Sequence, residues 1–270
     1  MNSSYLRHWL GECLGTFVLV LFGCSAVAGA VTLNAFSSLL EVALIWGFAV
    51  ALAIFLSRNL SDAHLNPAVT LAMILAGRLP VSLAIPYLMG QILGAMLAGF
   101  CVFSIFEPSI DAFEVANGIT RGAPESFQSA VMFGEFYPNP GFSAQLDLES
   151  ISIWRAMALE GFGTFVLILA IFQLTERRDQ QDNIVPIMIG LVVTLIITCI
   201  APFTQAGLNP ARDLGPRLIA SWMGWGKAAF PQDPGGWWWV YVAGPLLGGV
   251  FAWLSVFGIR KIQPAPTEVA

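Results

Sequence analysis

The sequence predicts an all-α membrane protein in which six transmembrane helices and two re-entrant half-helices form an inverted 3+3 repeat. Three observations lead to this fold class. The 270 residues are 57% hydrophobic and only 11% charged, whereas soluble domains carry about 25% charged residues. Long stretches contain no charged residue, and the two halves of the chain share a set of motifs.

The charge-free stretches locate the spanning helices, because a helix needs about 20 apolar residues to cross the hydrocarbon core. Asp, Glu, Lys and Arg do not occur in residues 13–40, 42–57, 79–106, 161–175, 183–211 and 234–259. These runs are continuous and rich in Leu, Ala and Gly, unlike the alternating strands of a membrane β-barrel. The predicted helices cover about 9–31, 40–58, 83–106, 153–174, 184–202 and 237–259.

The distribution of basic residues predicts the side that each loop faces, because cytoplasmic loops are enriched in Lys and Arg. With the N-terminus inside, the cytoplasmic set is Arg7, Arg58, Arg78, Arg177, Arg178, Arg260 and Lys261. The smaller outer set is Arg121, Arg155, Arg212, Arg217 and Lys227. The long connector 107–150 is acidic with a single Arg and is placed outside. We therefore expect a multi-pass protein of the plasma (inner) membrane with both termini in the cytoplasm.

The two halves of the chain carry three motifs in the same order, which indicates an internal duplication. Residues 12–19, 64–69 and 87–94 recur as residues 160–167, 207–212 and 241–248. Each half holds three spanning helices, an odd number, so the second copy is upside down relative to the first. We predict a single domain over residues 1–270, in which repeats at about 7–106 and 151–260 flank the connector.

An Asn-Pro-Ala tripeptide occurs once in each half. The two tripeptides are Asn66, Pro67 and Ala68, and Asn209, Pro210 and Ala211. Asn favours the N-cap of a helix and Pro its first turn, so each tripeptide begins a helix, at about 66–77 and 209–221, that is too short to cross the bilayer. Non-helical backbone at membrane depth is tolerated only within protein or beside a water-filled cavity. The inversion makes the two helix N-termini meet near the membrane centre.

The meeting point of the two half-helices predicts a pore. Asn66 and Asn209 can each direct an amide donor at a passing oxygen, while the positive ends of both helix dipoles repel cations and protons. A single Asn-Pro-Ala tripeptide is more often an ordinary helix start. Two of them at equivalent places of an inverted repeat are specific to a pore.

These motifs resemble those of the major intrinsic protein family, the aquaporins and aquaglyceroporins, from residue 12 to residue 257. The resemblance implies one aquaporin-like channel domain with its own pore and assembly into a homotetramer. Positions similar to the glycerol-conducting branch are Trp46, Asp213, Arg217, Pro245, Leu246 and residues 137–140 and 224–226. The resemblance therefore implies passive conduction of small uncharged solutes through the lipid membrane, glycerol first and water with it.

The resemblance also assigns a selectivity filter. Its four positions are Trp46, Ile197, Ala206 and Arg212. Arg212 offers guanidinium donors to a solute hydroxyl and discourages cations, and Trp46 offers an apolar wall. Water-selective members usually have His in place of Ile197, so a wider and less polar filter is expected. Glycerol facilitators usually carry Gly and Phe at the positions of Ile197 and Ala206. The set here is instead similar to nodulin-type intrinsic proteins, which are associated with glycerol and with metalloid acids such as arsenite or boric acid.

Four polar residues near the tripeptides are candidates for supporting roles, each with two interpretations. Glu12 and Glu160 lie in predicted membrane helices, where an ionisable group suggests function. They either relay protons or accept backbone N–H bonds from the re-entrant loops, and the resemblance favours the second role. His64 either gates by protonation or packs its loop. Asp213 either contacts solute or braces its half-helix against an arginine.

Other functional classes explain fewer of these residues. A proton-coupled secondary transporter also uses inverted repeats and broken helices, but only Glu12 and Glu160 are available for coupling. A mainly water-conducting aquaporin is the second alternative. An enzyme is not expected, because no nucleophile–base pair is evident. The net charge of −5 argues against nucleic acid as a partner, and two His and four isolated Cys predict neither a metal site nor a cofactor.

Overall fold

The computed structural model describes residues 3–145, 151–176, 183–231 and 235–262. Within them, six helical spans are long and apolar enough to cross a membrane. They are α1 (Ser3–Leu33), α2 (Leu39–Ser57), α4 (Ala84–Asn117), α6 (Ile153–Glu176), α7 (Ile184–Thr204) and a last span formed by α9 (Gly236–Trp238), a π-helical turn (Trp239–Ala243) and α10 (Gly244–Ile262). The predicted fold class is confirmed, and these residues form no β-strand.

The shorter helices lie in and around the predicted re-entrant segments and the connector. The half-helices are α3 (Pro67–Leu75) and α8 (Pro210–Ala220), a little shorter than predicted. A π-helical segment (Ser221–Trp225) and a 3₁₀ turn (Gly226–Ala229) follow α8. The 3₁₀ turn Val81–Leu83 precedes α4, and the connector holds α5 (Phe127–Ala130) between the 3₁₀ turns Pro124–Ser126 and Pro140–Phe142.

The third spanning helix is longer than the sequence predicts. It continues past residue 106 to Asn117 and ends where Gly118 adopts a left-handed conformation, with φ of 64°, as a glycine often does just after a helix. The charged residues from Glu107 onward mark the point where the chain leaves an apolar environment, and helix formation itself does not stop there. Arg121, which follows the end of α4, forms ion pairs with Asp111 and Glu114 of that helix. These pairs hold the chain just after the helix against α4.

The two repeats pack in the same way, and each inserts its half-helix into the other. Helix α1 lies against α4 as α6 lies against α10, while α3 packs on α10 and α8 packs on α4. Glycines make these approaches close. A Cβ at Gly90 would lie 2.6 Å from the carbonyl oxygen of Trp9, and one at Gly244 would lie 2.8 Å from that of Met157. The inverted repeat therefore interlocks at the two half-helices.

The exterior of the helical bundle is apolar and its interior contains charged groups, the reverse of a soluble protein. Phe48 and Leu195 are 70% and 66% exposed, whereas Glu12, Glu160 and Arg217 are fully buried. Large exposed apolar side chains suit contact with lipid. Of the basic residues that predict the orientation, Arg177 and Arg178 lie outside the described residues.

Candidate pore

A cavity of about 520 Å³ lies beside both half-helices, and its lining residues extend from the ends of α2, α3 and α6 to the connector. Arg58, Arg78 and Glu176 line it where α2, α3 and α6 end, on the predicted cytoplasmic side. Glu135 and Arg212 line it on the side of the connector. Much of the wall between them is apolar: Leu19, Val50, Ile54, Val69, Leu167, Ile171, Ile189 and Val193.

The two asparagines hold the half-helices together at their N-termini. The side-chain Nδ2 of Asn66 donates to the carbonyl oxygen of Leu208 at 2.9 Å, and Nδ2 of Asn209 donates to that of Leu65 at 2.7 Å. The Oδ1 atom of each side chain caps its own helix by accepting from the backbone N–H of Ala68 or Ala211. An amide nitrogen carries two hydrogens, so each asparagine, which lines the cavity, keeps one donor for a solute.

Left-handed residues shape the loop that leads into each half-helix. Ala63 and Leu65 have φ of 51° and 55°, and the equivalent residues of the second repeat, Ala206 and Leu208, have φ of 60° and 57°. Such angles are costly for residues other than glycine. The same unusual backbone in both halves therefore requires strong support from neighbouring groups.

The two buried glutamates supply that support. Glu160 accepts from the backbone N–H groups of Gly207 at 3.0 Å and Leu208 at 2.8 Å, and from the hydroxyl of Thr204 at 2.6 Å. Glu12 likewise accepts from the backbone N–H groups of His64 and Leu65. It also accepts from the hydroxyl of Ser61 and from the side-chain amide of Gln91. Neither glutamate is among the described residues that line the cavity. This placement favours the bracing interpretation over a proton relay.

The four predicted filter residues line one cavity, although they come from four different parts of the chain. Trp46 lies on α2, Ile197 on α7, Ala206 in the second re-entrant loop and Arg212 in the first turn of α8. The guanidinium of Arg212 stacks over the ring of Trp46 at 4.2 Å. Gly23 on α1 has no side chain, which lets the Trp46 ring lie directly against that helix.

A fifth residue at this level, Glu135, was missed by the sequence analysis. Its carboxylate forms an ion pair with Nη2 of Arg212, and both side chains are buried. Nη1 of Arg212 has no hydrogen-bond partner among the residues that the structure describes. An ionised Glu135 carboxylate offsets the charge of Arg212, and the expectation that this charge discourages cations is weakened in that state. The signal available was one acid in a run of otherwise uncharged residues, 131–137.

An ion pair next to the filter fixes the position of Glu135. Asp213 accepts from the backbone N–H of Glu135 at 2.8 Å, and Arg217 donates to its carbonyl oxygen at 2.6 Å. Asp213 and Arg217 are themselves paired at 2.6 Å and fully buried. Trp237 donates its indole N–H to the same aspartate at 2.8 Å. This arrangement favours the bracing interpretation of Asp213, with Arg217 as its partner.

His64 both packs its loop and faces the cavity. Its ring centroid lies 4.8 Å from that of Tyr87, and Nδ1 lies 3.3 Å from the hydroxyl of Thr70. The hydroxyl of Tyr87 in turn donates to Asp62 at 3.2 Å. These contacts suit the packing interpretation and leave gating by protonation a prediction.

Similarity to known proteins agrees with this geometry. Residues 1–255 match the family described as Major intrinsic protein. The chain is 35% identical over 231 residues to the glycerol uptake facilitator protein of Haemophilus influenzae, covering 85% of this chain and 84% of that protein. It is 34% identical over 267 residues to the glycerol uptake facilitator protein of Escherichia coli, covering 97% and 89%. The solved structure of the aquaglyceroporin from Plasmodium falciparum superposes with a TM-score of 0.77 at 25% identity, over 96% of this chain and 100% of that one. The chain belongs to the major intrinsic protein family.

Proposed function

We propose that this protein is a passive channel that admits glycerol and related small uncharged solutes, together with water, and excludes ions and protons. The observation that carries the proposal is the meeting of two inverted half-helices whose asparagines, Asn66 and Asn209, are bonded to each other's loops and line a cavity shared with the filter residues. Two similar proteins are glycerol uptake facilitators, which supports glycerol as the first solute.

The walls of the cavity suit a polyol, which has hydroxyls along one side and carbon along the other. Nη1 of Arg212 and the second amide hydrogens of Asn66 and Asn209 provide donors at two levels. Trp46 and Ile197 provide apolar surface beside them. A solute with hydroxyl groups regains hydrogen bonds as it loses water, and this keeps the cost of desolvation low. Undissociated metalloid acids such as arsenite or boric acid have the same chemistry and belong to the proposed solute class.

Ion exclusion in this proposal depends mainly on the midpoint of the pore. Both half-helices direct their positive ends at Asn66 and Asn209, so a cation meets an opposing field there. An ion that sheds its water in a largely apolar cavity also pays a large desolvation cost. Because an ionised Glu135 offsets the charge of Arg212, the outer filter in that state contributes less to this barrier than the sequence alone suggests.

Placement in the inner membrane with both termini cytoplasmic, and assembly as a homotetramer, are part of the same proposal. The excess of basic residues on the predicted cytoplasmic side supports the orientation. On α2 and α7, exposed apolar side chains such as Phe48 and Leu195 form broad faces that suit contact with lipid or with a second protomer. Cross-linking in native membranes tests the tetramer, and protease access to a tag at either terminus tests the orientation.

Stopped-flow light scattering of proteoliposomes tests the channel function directly. In an inward glycerol gradient the vesicles should shrink as water leaves and then reswell as glycerol enters. Water efflux without reswelling would refute the glycerol assignment and favour a mainly water-conducting aquaporin. Glycerol entry that stops when all ion gradients are collapsed would instead favour a proton-coupled secondary transporter. The bracing positions of Glu12 and Glu160 lead us to expect entry that is independent of ion gradients.

A further inference from the structure

The connector includes none of the four predicted filter positions, yet it contributes a side chain to the cavity wall beside them. Glu135 lines the cavity, is only 2% exposed and pairs with Arg212. A Cβ placed on Gly207 would lie 3.3 Å from Cγ of Glu135. The side chain therefore lies between Gly207 and Arg212, on the wall where Ala206 contributes only a methyl group.

The wall that Glu135 forms is held in place over several atoms. Its backbone N–H and carbonyl are bonded to Asp213 and Arg217. The next N–H, that of Phe136, donates to Oε1 of Gln205 at 2.7 Å. Because these three consecutive backbone groups are hydrogen-bonded, the loop cannot move the Glu135 side chain away from a large solute. A wall of this kind discriminates by size.

Arg212 has a second support that does not depend on Glu135. Its guanidinium stacks on Trp46 at 4.2 Å, and such stacking is stabilising in a desolvated site. Shortening Glu135 should therefore open space next to Gly207, while Arg212 stays against Trp46. The opened space then becomes available to the solute.

We infer that Glu135 is a specificity-determining residue that sets the upper size limit for polyols at the outer constriction. This inference rests on the proposed glycerol function. A three-carbon polyol passes between the Glu135–Arg212 pair and the apolar wall, and a polyol with one more carbon and hydroxyl is retarded there by the Glu135 side chain. Ala206, which is small, permits the connector to occupy this position.

The test is the ratio of erythritol permeability to glycerol permeability in proteoliposomes, measured for the wild type and for Glu135→Ala and Glu135→Gln. One added carbon in a fitted site typically changes discrimination by at least about tenfold, so Glu135→Ala should raise the ratio by about tenfold. Glu135→Gln keeps the size of the side chain and removes its charge, and it should keep the wild-type ratio. Glu135→Ser serves as a second shortened variant if the alanine variant does not fold.

The matched control is Glu114→Gln. Glu114 is also buried and also pairs with an arginine, Arg121, but it does not line the cavity. This variant should keep the wild-type ratio even if its folded yield falls, because fewer intact channels reduce both fluxes equally. A shortened variant that conducts glycerol with an unchanged or smaller ratio would overturn the inference, as would equal increases in Glu135→Ala and Glu135→Gln. Absence of glycerol flux through the wild type would refute the proposed function itself, which is a distinct result.

Discussion

Replacing Glu160 by Gln tests whether this buried glutamate braces the second re-entrant loop. In the wild type, Oε1 accepts from Gly207 and from Thr204, and Oε2 accepts from Leu208. A glutamine has one acceptor oxygen, so its amide NH₂ must face a donor on one side. With the oxygen toward Gly207 and Thr204, the N–H of Leu208 loses its acceptor inside a fully buried site. Loss of one hydrogen bond to a charged group costs about 1.5–3 kcal/mol.

The expected result is a lower folded yield and a lower midpoint of thermal denaturation in detergent, measured by the loss of monodisperse protein after heating. The ratio of glycerol to water permeability per folded channel should stay close to the wild-type value, because Glu160 does not line the cavity. Glu12→Gln is the matched comparison, since Glu12 makes the equivalent bonds to His64 and Leu65. A Glu160→Gln protein as stable as the wild type would refute the bracing argument. A selective loss of pH-dependent uptake at normal stability would indicate a proton relay instead.

Two further substitutions test the filter and its support. Ala206→Phe adds a ring beside the cavity and should reduce the permeability of bulky polyols such as erythritol by about tenfold in the stopped-flow assay; unchanged flux would show that Ala206 does not line the constriction. Asp213→Ala leaves the buried guanidinium of Arg217 without its carboxylate and should destabilise the protein by about 3–5 kcal/mol. This loss should appear as a large fall in the midpoint of thermal denaturation, and a midpoint equal to that of the wild type would contradict the structural role of the pair.

The helices and half-helices were predictable because their signals are local. Charge-free runs mark segments that lie in hydrocarbon, and an Asn followed by a Pro marks the start of a helix wherever it occurs. Both asparagines do cap their helices in the structure. The end of α4 was predicted wrongly because a charged residue signals the edge of the apolar region, whereas the helix itself continues to the left-handed Gly118.

The hydrogen bonds that join the two re-entrant loops follow only in part from the sequence. The repeat pairs residues 64–69 with residues 207–212 and predicts that their helices meet, but it does not state which atoms bond. In the structure each asparagine reaches the carbonyl of the opposite loop, 142 or 144 positions away along the chain. The left-handed backbone at Leu65 and Leu208 belongs to residues with no intrinsic preference for it, so it is imposed by the contacts with Glu12 and Glu160.

The amino-acid sequence by itself determined the membrane location, the duplicated three-helix plan and the two capped half-helices, because each follows from a short-range pattern or from repetition, whereas the candidate filter residues follow from the resemblance to a known family. The tertiary structure alone decided that Glu135 faces Arg212. That contact depends on a connector with no periodic pattern, held by Asp213 across 78 positions of chain. In such a segment no sequence pattern distinguishes a solvated carboxylate from a buried one, so only the folded structure shows which charged group the carboxylate contacts.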